Sequence, residues 1–241
     1  MKRKIILASF LVLLAIFAFK KSPEKENQSI LSYEVDLKNQ NLKFYWKNGK
    51  GEQIRSFESL KKHVNSNNEE LVFAANGGMY MEDRRPLGLY IEKGKKLSKL
   101  NNRKNAKGNF YLQPNGVFYI KKDSTSGVSE TIKFDTTNVL YATQSGPMLL
   151  IKGEFHPAFN KGSANLNIRN GVGILPNGNI LFAMSKQRIN FYDFAKYFKS
   201  KGCKNALYLD GFVSKTYLPE KDWVSGDGNF GIIIAETITK K

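Results

Sequence analysis

The sequence predicts an α+β fold: a mixed, largely antiparallel β-sheet core with hairpins and a few packed helices. Three observations predict it. Short apolar runs end repeatedly on Asn-Gly or Pro-Asn-Gly, the chemistry of tight turns between strands. Only two stretches space their apolar residues helically. Seventeen Phe and eleven Tyr supply rings that pack well on pleated surfaces. A chain of 241 residues with 41% hydrophobic content can bury a substantial core in one domain.

The elements follow in order. Residues 1–21 carry Lys2, Arg3 and Lys4, then an uncharged stretch from Ile5 to Phe19, closed by Lys20 and Lys21. This reads as a signal peptide or, if uncleaved, an N-terminal anchor, because the span is shorter than the ~20 residues of a membrane-crossing helix. The chain is therefore expected to be exported: periplasmic, extracellular, or membrane-anchored facing outward. Residues 22–32 read as a linker and 33–241 as a single domain. Tyr33–Leu37 and Leu42–Trp46 read as strands, and Phe57–Val64 as a short helix with apolar residues at 57, 60 and 64. Leu71–Ala75 and Leu87–Glu92 are strand-like. Asn109–Lys121 and Gly171–Met184 each place Pro-Asn-Gly between apolar arms and read as hairpins. Phe191–Lys201 is a helix, with Phe191, Phe194, Ala195 and Phe198 on one face, Asn190 as N-cap and Gly202 as the stop. Leu207–Leu209 and Gly231–Glu236 complete the strands.

Net charge is +17, and five of those charges precede residue 22, leaving +12 on the remainder. A basic exported protein attracts anionic partners such as teichoic-acid-like polymers, acidic polysaccharides or membrane surfaces. No helix-turn-helix, zinc or RNP pattern points to nucleic acid. The lone Cys203 excludes an intramolecular disulfide and a multi-Cys zinc site.

Four segments share one design, an apolar strand that stops on polar residues and glycine, where a rigid sheet can present functional groups to solvent. In Ala75-Asn76-Gly77-Gly78-Met79-Tyr80, Asn76 can bond hydroxyl or phosphate oxygens, Gly77 can let the backbone approach a ligand, and Tyr80 can offer a ring face. Glu82 and Arg84 follow closely. In Gln144-Ser145-Gly146-Pro147, the two polar side chains precede a break and a buried strand. Arg169 and Asn170 stand at the entrance to the second hairpin, where a guanidinium can fork onto phosphate or be an ordinary surface Arg or salt-bridge partner. Asp210, with Gly211 and Ser214 after it, ends a buried strand. A carboxylate there is costly without partners or a task, which marks it as catalytic or as a turn cap. His63 and His156 lie outside these segments, so a His-activated Ser nucleophile is not indicated.

Taken together, Asn76–Tyr80, Gln144–Leu150, Ile168–Ile174 and Tyr208–Ser214 resemble the phosphodiester glycosidase family, in order, over residues 71–236. PLGLYIE at 86–92 and NFYDFAKYF at 190–198 are most similar to its uncharacterised exported bacterial branch. One departure concerns Phe212 and Val213, which stand where the uncovering-enzyme branch has a glycine-rich run. The resemblance implies an uncovering-enzyme-like hydrolase of sugar-1-phosphodiesters. On it, Asp210 is general base or nucleophile, Glu82 a second carboxyl and Arg169 the phosphate clamp. Asn76, Gln144 and Ser214 orient the substrate, with Lys215 and Arg84 as auxiliary cations. No cofactor is required; Ca²⁺ or Mg²⁺ held by Asp210, Asp227 and backbone oxygens stays open. The other reading is a non-catalytic protein that binds anionic envelope glycans.

Overall fold

A computed structural model describes residues 29–210 and 213–240, in which sixteen strands form three antiparallel sheets. The expected N-terminal segment and Gly211 lie outside the described residues. The first sheet runs β1 (Ile30–Val35), β12 (Ile180–Ser185), β11 (Asn170–Ile174), β13 (Ala206–Asp210), β9 (Met148–Ile151) and β10 (Glu154–Phe155). The second runs β15 (Trp223–Val224), β14 (Thr216–Leu218), β3 (Glu69–Asn76), β16 (Ile233–Thr239) and β2 (Leu42–Tyr45). The third runs β5 (Lys95–Ser98), β4 (Tyr90–Glu92), β8 (Val139–Ser145), β6 (Gly116–Lys121) and β7 (Ser126–Glu130). The α+β expectation is met. The first strand begins at Ile30, inside the stretch read as linker, because Ile30 and Leu31 pair with Ser185 and Met184 and are buried.

Aromatic rings join the sheets at the centre. Phe73 of the second sheet lies 5.0 Å from Phe182 of the first, and Phe118 of the third meets Phe182 edge-on at 5.9 Å and Phe44 at 5.6 Å. Offset and edge contacts of this kind add to the area they remove from water. Along β13 the alternation is strict: Leu207 and Leu209 enter this central core, while Ala206 and Tyr208 face the helix on the other side.

Two helices cover the outer faces. The first, α1 (Phe57–Ser66), buries Phe57, Leu60 and Val64 against Leu71, Ala74 and Ile233 of the second sheet, and Ser56 caps it by accepting from Ser59 N. The second, α2 (Phe191–Ser200), puts Phe194, Ala195 and Phe198 on Leu149, Leu150 and Ala206. Its N-cap is Asn190, which accepts from Asp193 N, as the sequence predicted. No helix among the described residues is long and apolar enough to cross a membrane.

The two Pro-Asn-Gly segments part company. β11 and β12 form the expected hairpin, with Gly178 at φ +88° in the turn. Residues 109–111 instead form one 3-10 turn, and β6 pairs with β7 and β8. Asn115 is the cause: it is buried, and its Nδ2 donates to Phe110 O at 2.8 Å, folding the chain back on itself where a ladder was expected.

Candidate active site

Three sheet strands end at one place. β3 delivers Asn76, β13 delivers Asp210, and β11 begins with Asn170. The register of β11 against β13 shifts between Asn170 and Gly171, so Asn170 faces Asp210 while Gly171 faces Tyr208. That bulge re-aims the last residue of β13 at the edge of the sheet.

Two asparagines then fix the carboxylate. Asn76 Nδ2 donates to Asp210 Oδ2 at 3.0 Å. The amide cannot turn the other way, because Asn76 Oδ1 accepts from Lys215 N at 2.9 Å and from Asn170 Nδ2 at 3.0 Å. Asn170 Nδ2 also donates to Asn76 O at 2.8 Å, and Asn170 Oδ1 accepts from Asp210 N at 2.9 Å. Both asparagines are buried, and Asp210 is 7% exposed, so a solvent-reaching carboxylate sits on a desolvated polar network. Ser214 Oγ lies 2.9 Å from Asp210 O and 3.1 Å from Ile168 O, which ties Ser214 to the ends of the strands that carry Asp210 and Asn170. Ser145 Oγ donates to Leu209 O at 2.8 Å. Both hydroxyls hold the backbone that carries Asp210.

Asp210 lines a cleft of about 400 Å³ together with Tyr80, Arg84, Lys107, Asn109 and Tyr111. Arg84 stacks its guanidinium 5.1 Å from the centre of the Tyr80 ring and donates from Nη1 to Glu82 O at 2.8 Å. Its Nε is buried with no hydrogen-bond partner. Lys107 is exposed, and no described carboxylate pairs with it. Burial and then the charge of Asp210 push the Tyr80 hydroxyl above the ordinary tyrosine range, while Arg84 pulls it back.

Several sequence-derived roles move. Arg169 is fully buried and does not line the cleft. It donates from Nε to Ile189 O at 2.8 Å, from Nη2 to Asn165 O at 2.8 Å and from Nη1 to Tyr208 OH at 3.2 Å. Its guanidinium also lies 3.6 Å from the centre of the Phe191 ring. Burial lowers its basicity, partly offset by Tyr208. Arg169 braces the strand behind Asp210, and the arginine that lines the cleft is Arg84. Gln144 is saturated: Oε1 accepts from Leu89 N and Asn101 N at 3.0 and 2.9 Å, and Nε2 donates to Asn101 O at 2.8 Å and Thr131 Oγ1 at 3.3 Å. It anchors the 87–101 segment. A Cβ at Gly77 would come within 2.5 Å of Ile234 Cγ1, so this glycine serves strand packing and leaves no room for a ligand. Glu82 is exposed on the 81–85 turn and does not line the cleft. Lys215 Nζ is ion-paired with Asp227, and among the described residues no three acidic, His or Cys groups gather as a metal-ligand cluster. The sequence reading missed Lys107, Asn109 and Tyr111, which stand on a loop with no strand-then-glycine signature.

A strand-end carboxylate, two cations and the rings of Tyr80 and Tyr111 thus line one cleft. Residues 69–232 match the family model described as phosphodiester glycosidase, and the chain belongs to that family. It is 37% identical over 220 residues, 90% of this chain and 85% of the other, to the uncharacterized protein YigE of Escherichia coli (strain K12). Among solved structures it resembles the zebrafish N-acetylglucosamine-1-phosphodiester alpha-N-acetylglucosaminidase catalytic domain auto-inhibited by its pro-peptide. That match has a TM-score of 0.59 and 18% identity, and covers 88% of this chain and 84% of that one. A hypothetical protein from Synechocystis matches with a TM-score of 0.54 and 11% identity, over 87% of this chain and 59% of that one.

Proposed function

We propose that this chain is an exported hydrolase that cleaves the bond between the anomeric carbon of a sugar and a phosphodiester, in envelope or extracellular glycan metabolism. The observation that carries the reading is Asp210 in one cleft with the cations Arg84 and Lys107 and the rings of Tyr80 and Tyr111. In this reading Asp210 either attacks the anomeric carbon, forming a glycosyl ester that water then hydrolyses to free sugar, or takes a proton from the water that attacks this carbon. The carbon–oxygen bond breaks with its electron pair going to the leaving phosphate. That phosphomonoester has a second pKa of about 6, so it departs without a dedicated acid. Its growing negative charge is met by Arg84 and Lys107. This accounts for a site with one carboxylate, whereas glycoside hydrolysis with a poor leaving group calls for two. Tyr80 and Tyr111 supply ring faces for the sugar.

The test is release of free sugar and phosphomonoester from a panel of sugar-1-phosphodiesters, with and without Ca²⁺ or Mg²⁺. Arg84→Ala should lower kcat/KM by roughly 10–10²-fold through the loss of a charge-assisted contact to the leaving group. Full activity in Arg84→Ala would remove this cation from the mechanism. An absence of turnover across the panel, with salt-sensitive retention on anionic glycans, would make the protein a binding module.

A further inference from the structure

A second cleft, of about 390 Å³, opens beside the one that contains Asp210. Leu87 and Tyr111 line both, so the two hollows share a wall. That wall is braced from each side. The turn between them is closed by the Tyr80–Pro86 bridge, by Met81 N donating to Arg85 O at 2.9 Å and by Arg84 N donating to Met81 O at 2.8 Å. Tyr80 and Arg84 line the first cleft, while Met81 and Arg85 line the second. Trp46 Nε1 donates to Arg84 O at 3.1 Å from below. On the other side Asn101 Nδ2 donates to Leu87 O at 3.1 Å, and Asn101 is itself clamped by Gln144. The saturated Gln144 thus fixes the partition between the clefts.

The lining of the second cleft has its own chemistry. It carries Arg85 and Arg103 and no carboxylate, with the rings of Trp46 and Tyr111 beside them. Arg85 is tied to Asp83 at 3.1 Å, but the Arg103 guanidinium has no hydrogen-bond or ion-pair partner among the described residues. The sequence holds no acid between Glu92 and Asp123, while Lys99, Arg103, Lys104 and Lys107 all stand in that interval. Cations with planar forks favour phosphate, and aromatic rings favour sugar faces.

We propose that the second cleft receives the leaving group, and that this group is a saccharide bearing a further phosphate. The substrate is then a repeating glycosyl-phosphate chain, cut at one linkage in the Asp210 cleft and held at the next phosphate by Arg103 and Arg85. The inference rests on the hydrolase reading above for which bond is cut, and on the continuity of the two clefts for where the leaving group goes.

The experiment uses three substrates with one glycosyl phosphate and different leaving groups: methyl, a neutral saccharide and a phosphorylated saccharide. The full chain should favour the phosphorylated over the neutral saccharide by about 10–10²-fold in kcat/KM, chiefly through KM, and added salt should shrink that preference. Arg103→Ala, an exposed substitution, should reduce the preference to about 3-fold or less. Equal rates on the two saccharides, or a preference that Arg103→Ala leaves intact, would overturn the proposal. Turnover of the methyl diester reports on the hydrolase reading separately. If no substrate turns over, calorimetric titration of the phosphorylated disaccharide into the full chain and into Arg103→Ala decides the matter. The variant should bind about 10-fold more weakly, and equal affinity would overturn the second cleft as a phosphate site.

Discussion

Asp210→Asn is expected to lower kcat on a sugar-1-phosphodiester by at least about 10³-fold, with little change in thermal stability. The substitution keeps the shape of the side chain. Asp210 N still donates to Asn170 Oδ1, and an amide oxygen can still accept from Asn76 Nδ2. What disappears is the negative charge in a nearly buried position, and with it the ability to attack carbon or to accept a proton from water. The paired measurements are turnover and the unfolding midpoint. Retained turnover in a folded variant would remove Asp210 from the chemistry, whereas a collapsed midpoint would show that the carboxylate serves the fold.

Asn170→Ala should damage both stability and activity, because this one side chain ties three segments. It donates to Asn76 O and Oδ1 and accepts from Asp210 N, all away from water. Leaving buried groups unmatched costs about 1–3 kcal/mol each, and partial relaxation brings the expected total to about 3–5 kcal/mol. For a domain of this size that is a drop of roughly 6–20 °C in the unfolding midpoint. Activity at a temperature where the variant is folded should still fall about 10²-fold, since Asp210 loses its register to the sheet. Asn160→Ala makes the comparison, for Asn160 lies exposed in a loop and its side chain makes no hydrogen bond among the described residues. It should shift the midpoint by no more than the equivalent of about 0.5 kcal/mol. Equal midpoints for the two variants would mean that the asparagine network does not bear on the fold.

Where local pattern decides structure, the sequence was legible. The 3.6-residue spacing of Phe191, Phe194, Ala195 and Phe198 and the Asn190 cap were enough to place α2. The rule that apolar strands stop on polar residues picked out Asn76, Asn170, Asp210 and Ser214, but it read the asparagines and the serine as substrate ligands, whereas their side chains bond one another and Asp210. What the sequence could not show is which partner satisfies a given side chain. Arg169 looks like a phosphate ligand in the chain, but Phe191 and Tyr208, distant in sequence, enclose it. Gln144 looks free beside a Gly-Pro break, yet backbone groups at 89 and 101 saturate it. The Asn109–Lys121 stretch has the composition of a hairpin, and a side-chain bond from Asn115 back to Phe110 sends it elsewhere. Lys107 and Tyr111 reach the cleft only through the path of that loop, which no short-range pattern encodes.

The central claim is that the bond broken lies between carbon and oxygen, with Asp210 acting at the anomeric carbon. Hydrolysis of a sugar-1-phosphodiester by the full chain in ¹⁸O-labelled water, with both products analysed by mass spectrometry, tests it most directly. The account predicts label in the hydroxyl of the released sugar and none in the phosphomonoester, with Asp210→Asn giving neither product at an appreciable rate. Label in the phosphate would contradict it, because the attack would then fall on phosphorus and the protein would be a phosphodiesterase using the same cleft.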